Sequence, residues 1–241
     1  MNLFKSVLFL FLGLVSLNSV DAQKEIKEGY LKMKIVEATS DDEQMAAALQ
    51  MIIGSLTEYY FNAEKAMVKA DMMGGMVKII NVMDISNQNS TMYMDMMGQR
   101  MMVESTPDER EDTQKDQAEV MKEMEIVVDD NDTKEILGMK CVKASIKHPE
   151  MTSGVSFEMY ISKDLQFTNK LIQGMEHFDL QGFPLEYSLV SEKMNLKVTA
   201  EEFKDKIDSS VFKISDAGYK KMTMAEFIET MGAFGGGGLG F

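Results

Sequence analysis

The 241-residue chain has no tryptophan, one cysteine, two histidines and three prolines. A single cysteine, Cys141, excludes an internal disulfide, so stability must come from core packing. In MKCVKAS it reads as a small buried apolar residue, because no histidine is placed to activate it as a nucleophile. The histidines, His148 and His177, lack H-E-x-x-H or paired spacing, whereas a catalytic zinc normally takes three converging ligands. Both read as surface residues. No G-x-S-x-G elbow, P-loop or G-x-G-x-x-G is present, and the GGGG near the end follows no strand. Clusters of Lys and Arg are also missing, and the net charge is −14, which excludes a phosphate-binding surface for nucleic acid.

Acidic residues are plentiful, yet they form no ligand pattern. Asp129-Asp130-Asn131-Asp132 resembles the start of a calcium loop, but Lys134 stands at the sixth position, where that loop needs glycine. This stretch reads as a turn. Pairs such as Glu201-Glu202 are too common in so acidic a chain to mark a glycosidase. The run ESTPDEREDTQKDQAE at 104–119 holds seven acids against Arg110 and Lys115, and reads as a solvated loop between strands.

The first 22 residues carry Lys5, an apolar run from Ser6 to about Leu17 and the small-x-small triplet Val20-Asp21-Ala22, the pattern of a cleaved secretory signal. Removing them leaves 241 − 22 = 219 residues beginning at Gln23 and takes away one Lys and one Asp, so the charge stays at −14. No later stretch approaches the roughly 20 apolar residues that span a bilayer. Cys141 lies too far from the cut to carry a lipid anchor. The expectation is a periplasmic or secreted, non-lipidated protein that does not span the membrane.

In the mature chain, residues 28–38 alternate, placing Leu31, Met33 and Ile35 on a core face and Tyr30, Lys32, Lys34 and Val36 opposite. Ser40-Asp41-Asp42-Glu43 has capping-box spacing. Met45, Leu49 and Ile52 then fall on one helical stripe, and Gly54 is placed to end the helix in a left-handed turn. From Thr57 strand patterns return, separated by Gly74-Gly75, a polar turn at Ser86–Ser90 and Gly98, as in an antiparallel meander. Further strand patterns follow in MEIVV, ILGMKCVKASIKH, VSFEMYIS, PLEYSLVSE and MNLKVTAEEF, with DDNDTKE as a turn between the first two. Ser209–Phe212 reads as a short turn, and Thr223–Glu226 as a capping box opening a last short helix. The Gly-rich tail at 233–241 is expected to be mobile. About ten antiparallel strands with few helices define an α+β class. Such a sheet must curl, giving a half-open barrel whose concave face receives the amphipathic helix. A single domain spans 23–232.

The phrases TMYMDM, TKEILGMKCVKASIK, VSFEMYISKDL, GFPLEYSL and SSVFKISDAGYKKMTMAEF together resemble the domain of unknown function 4412 family of exported bacterial proteins. The resemblance covers most of the mature chain, with ILGMKC and GYKKMTM its most specific parts. It implies an architecture similar to the lipoprotein carriers LolA and LolB, in which a half-open β-barrel holds acyl chains under a helical lid. It implies no reaction and transfers no site residue. The long acidic insertion departs from many exported relatives.

Methionine is the abundant residue: 25 in the chain, six of them in the thirteen positions STMYMDMMGQRMM. On a strand, Met92, Met94 and Met96 share one face about 6.6 to 7 Å apart, so their thioethers could converge on Cu(I) with help from Met83, Met101 or Met102. No His or Cys is nearby, however, and the methionines run along both faces, as deformable packing does. The expected function is non-enzymatic binding or carriage of a hydrophobic small molecule, lipid or acylated protein, with no cofactor. Its lining would include Met45, Leu49, Ile52, Met83, Met92, Met94 and Met96. The alternatives are a Cu(I)-binding protein using Met92, Met94 and Met96, or an interaction module without a small ligand.

Overall fold

The computed structural model describes residues 26–113, 125–147, 155–165, 180–191 and 193–233. The proposed signal peptide, His148, His177 and the Gly-rich tail from 234 lie outside them. Twelve strands form one open, curved sheet, so the expected ten or so strands become twelve, the fold is mostly β, and the sheet is open and curved as expected of a half-open barrel.

β1 (Gly29–Ser40) lies near the middle. On one side, β2 (Leu56–Phe61), β3 (Lys65–Met72), β4 (Val77–Asp84), β5 (Ser90–Met96) and β6 (Gln99–Ser105) run as an antiparallel meander. On the other, β11 (Met194–Lys204) pairs with β1, followed by β10 (Phe183–Val190), β9 (Ser156–Ser162), β8 (Met139–Lys147) and β7 (Glu125–Ile136). β12 (Lys220–Met222) closes one edge by pairing parallel with β6. At the other edge, β7 carries acids and an irregular register between Asp129 and Thr133, features that discourage edge-to-edge pairing. The DDND stretch is therefore a bulge within a strand. The turn lies later, at Leu137-Gly138, where φ is +51 and +76.

Curvature shows directly in the ring contacts. β2 and β10 are three strand spacings apart, about 14 Å in a flat sheet, yet the rings of Tyr59 and Phe183 meet edge to face with centroids 5.1 Å apart. The side on which they meet is the concave one. Leu31 and Met33 lie on it, 0% and 1% exposed, as the alternation predicts.

Three short helices complete the described fold. α1 (Glu43–Ile52) starts two residues later than the Ser40 box implies: Asp42 caps it, accepting from the Met45 amide at 2.9 Å. Ser40 Oγ instead accepts from the Asp42 amide. Gly54, at φ +81, ends the connection as expected. α2 (Pro107–Thr113) occupies the first half of the supposed acidic loop. Thr106 and Glu109 cap each other reciprocally, and Arg110 ties the helix to Ser90 Oγ, Ser105 and the Gln88 carbonyl. α3 (Met224–Ala233) opens with the expected Thr223–Glu226 capping box.

Candidate functional site

Strand register sorts the side chains into two unlike faces. Opposite residues share a face, so Tyr59, Val68, Asn81, Met92 and Val103 form one concave row, and Thr57, Ala70, Ile79, Met94 and Met101 the next. On the other wing, Ile35, Val198, Tyr187, Met159 and Ala144 continue the surface. The convex face carries cross-strand ions, among them Lys143–Glu158 at 3.0 Å and Lys34–Glu201 at 3.2 Å.

Burial divides the concave face into two cores and a band. The main core gathers Leu31, Met33, Tyr59, Phe61, Ala66, Met83, Met159, Ile161, Phe183, Leu185 and Val198. The second gathers Met94, Met101, Val103 and Met222 under Phe227 and Met231 of α3, with Ile79, Met92, Met96 and Met224 at its margin. Between them and along the upper end, where α1 sits, Ile35, Thr57, Ala70 and Ile79 are half-buried, as are Leu196, Leu189, Phe157 and Ile146 on the other wing. These eight form a partly uncovered apolar band. Tyr187, beneath Phe157 in a stacked pair, has its phenol pushed up to about 12 by burial.

The seven methionine, leucine and isoleucine positions expected to line a site fall into three places. Met83 is in the main core and Met92, Met94 and Met96 in or beside the second. α1 packs against β1 and the Met73–Gly75 turn. Of its expected stripe, Leu49 is buried, Ile52 half-buried and Met45 40% exposed. The stripe is thus only partly used, and the helix that covers the methionines is α3. Met101 joins them, whereas Met102 pairs with Tyr93 and Met83 belongs to the other core.

One polar cavity of about 310 Å³ opens around Lys134, Glu158, Tyr160, Glu186, Ser188 and Lys197. Its centre is the buried Glu186 carboxylate, whose two oxygens both accept from Lys134 Nζ at 2.8 Å and which lies 3.3 Å from Lys197. Burial alone would raise this carboxyl, but the hydrogen bond and charge of Lys134, with Lys197, hold it below the usual glutamate range. That contribution to stability is present above about pH 4.3, the ordinary glutamate value, and is lost as pH falls through the lower folded value. The cavity is thus a fold-stabilising ion cluster that sequence reading missed, because β7's bulge brings Lys134 to it. Cys141 is fully buried with its thiol pushed up to about 12, chiefly by burial, which leaves it unreactive. Among the described residues, no three His, Cys, Asp or Glu side chains are grouped to hold a metal, and no helix is long and apolar enough to cross a membrane.

An open curved sheet with an apolar concave face and a charged convex face is what these residues define. No family model matches the chain and no curated protein matches it, so the likeness to the 4412 family remains a resemblance. Solved structures do align. An uncharacterized conserved protein from Thermus thermophilus is 12% identical, with 82% of this chain and 91% of that one covered and a TM-score of 0.46. A DUF1329 family protein from Desulfovibrio piger is 11% identical over 83% and 92%, with a TM-score of 0.32. LprF from Mycobacterium bovis is 12% identical over 78% and 90%, at 0.30. At scores below one half, the function of this chain must be argued from its own residues.

Proposed function

We propose that this protein is an exported, non-lipidated binding protein that takes up an apolar ligand, a lipid or the acyl chain of an acylated protein, on its concave face without catalysing a reaction. The half-buried band from Ile146 to Ile79 carries this reading. A sheet face so apolar is ordinarily covered, and among the described residues α1 and α3 cover only its ends. An acyl chain laid along the band would remove apolar surface from water on both partners, at about 0.8 kcal/mol per buried methylene. Met92 and Met96 at its margin suit chains of varied length, because thioether side chains adapt their shape.

Titrating saturated monoacylglycerols of eight to eighteen carbons into the full mature chain tests this. Affinity is expected to rise by up to about fourfold per methylene until the band is filled, and to fall when Leu189→Asn places an amide in it. Absence of binding at every length overturns the reading and leaves an interaction module without a small ligand. A second reading has one observation behind it: seven methionines, Met92, Met94, Met96, Met101, Met222, Met224 and Met231, converge in and around the second core, a set of soft donors of the kind that selects Cu(I).

A further inference from the structure

Among the described residues, three buried side-chain oxygens accept no hydrogen bond: Ser55 Oγ, Asp164 Oδ1 and Asn81 Oδ1. The first two lie in connections. Asn81 stands inside β4, on the concave face between Ile79 and Met83, directly opposite Val68 on β3 and Met92 on β5. Val68 packs on the main core and Met92 on the second, so Asn81 occupies the seam between them. An apolar residue there would pack better, since a buried acceptor without a partner carries the full desolvation penalty. An asparagine that weakens the fold at this seam, two residues along the strand from Ile79 of the apolar band, has the character of a binding group.

We infer that Asn81 selects the headgroup, and that the ligand is an uncharged amphiphile whose acyl chain ends in a hydrogen-bond donor, a hydroxyl or an amide N–H. This rests on the proposed binding of an apolar ligand to the concave face and states what lies at the ligand's polar end. The bare atom is an acceptor, so it is satisfied by a donor. An ionised fatty acid brings only acceptors and would bury its charge against Val68, Met92, Ile79 and Met83. Arg110, at the lower edge, already donates to Ser90, Ser105 and the Gln88 carbonyl. Burying an anion without a cation of its own is costly. The methyl ester of the same acid, also lacking a donor, fills the band but leaves Asn81 Oδ1 bare.

Three ten-carbon probes separate these cases: 1-decanol, methyl decanoate and decanoate at pH 8, each measured by displacement of N-phenyl-1-naphthylamine from the full mature chain. Decanol is expected to bind roughly 3- to 10-fold tighter than the ester, the ordinary yield of one hydrogen bond, with decanoate weaker than both. Asn81→Leu should abolish the preference for decanol over the ester, keep ester binding, and raise the melting temperature of the unliganded protein. Asn81→Thr, which retains an acceptor, should keep part of the preference and serves as the deciding variant if the leucine protein does not fold. Equal binding of alcohol and ester by the native chain, a preference that survives Asn81→Leu, or decanoate as the tightest probe overturns the assignment of Asn81 while leaving the apolar site standing. Failure of all three probes to displace the dye overturns both.

Discussion

The two cores of the concave face differ in composition and in how they are held. The main core is built across β1 to β4 and β7 to β11 from side chains of fixed shape, such as Leu31, Tyr59, Phe61, Ile161 and Phe183, with Met33, Met83 and Met159 between them. The second joins β4, β5, β6 and β12 to one helix, and apart from Val103, Phe227 and Ile79 it consists of methionine. Branched and aromatic residues specify one packing, whereas unbranched thioethers tolerate several. The helix over the second core is fastened at few points. Its start is capped by Thr223 and Glu226. Its approach is pinned by Tyr93, which donates to Asp216 Oδ1 at 2.7 Å and meets the Tyr219 ring. The contrast is between a rigid half that sets the curve of the sheet and an adaptable half closed by a short flap.

Breaking the rigid half should have the largest effect. Phe61 is fully buried, and its ring lies beside Gly29, where an added Cβ would come within 3.1 Å of the ring and 2.6 Å of the Lys204 carbonyl. Phe61→Ala is expected to cost about 3 to 5 kcal/mol and to lower the midpoint of a single, cooperative denaturant transition. A loss below about 1 kcal/mol would show that the main core does not organise the sheet.

The flap predicts a smaller and more local change. Thr223→Ala removes a hydroxyl that accepts from the Glu226 amide at 3.2 Å, and loss of such a cap typically costs about 1 kcal/mol. The loss should show as faster amide hydrogen exchange in α3 and in β12, with exchange in β1 and β11 unchanged. Uniform acceleration across the sheet would mean that the two cores unfold as one unit and that the contrast between them is only compositional.

The sequence discloses the main core more fully than the second. Alternation at Leu31, Met33 and Ile35 and the turns at Gly54, Gly74-Gly75 and Gly98 place strands correctly, because period-two patterning and positive φ are local properties. The partners of Met92, Met94 and Met96 are not local: the cluster exists because β12 pairs parallel with β6 and brings Met222 and α3 over it, a connection of more than a hundred residues. α2 had a local signal, Thr106 and Glu109 at capping-box spacing, which the surrounding charge run obscures. The Asp129–Thr133 bulge had none, since a turn and a bulge draw on the same residues. Asn81 reads as an ordinary strand residue until register shows which face it occupies.

The adaptable core should scarcely feel a change that keeps its volume. Replacing Met92, Met94 and Met96 together by Leu keeps apolar volume while removing three thioethers, and conservative swaps of this kind usually cost less than about 1.5 kcal/mol each. Met94 is 1% exposed and paired across the ladder with Met101, while Met92 and Met96 at the margin have room to adjust, so the cost should fall mainly on position 94 and stay small. The same variant separates the two uses of sulfur. If the methionines are packing, Cu(I) titrated against a competing chelator finds no one-to-one site in either protein, and binding of long-chain monoacylglycerols narrows in its tolerance of chain length, because the leucines no longer adapt. Tight one-to-one Cu(I) uptake by the native chain that vanishes in the leucine variant would make the second core a metal site instead, with α3 as the element that closes over the ion.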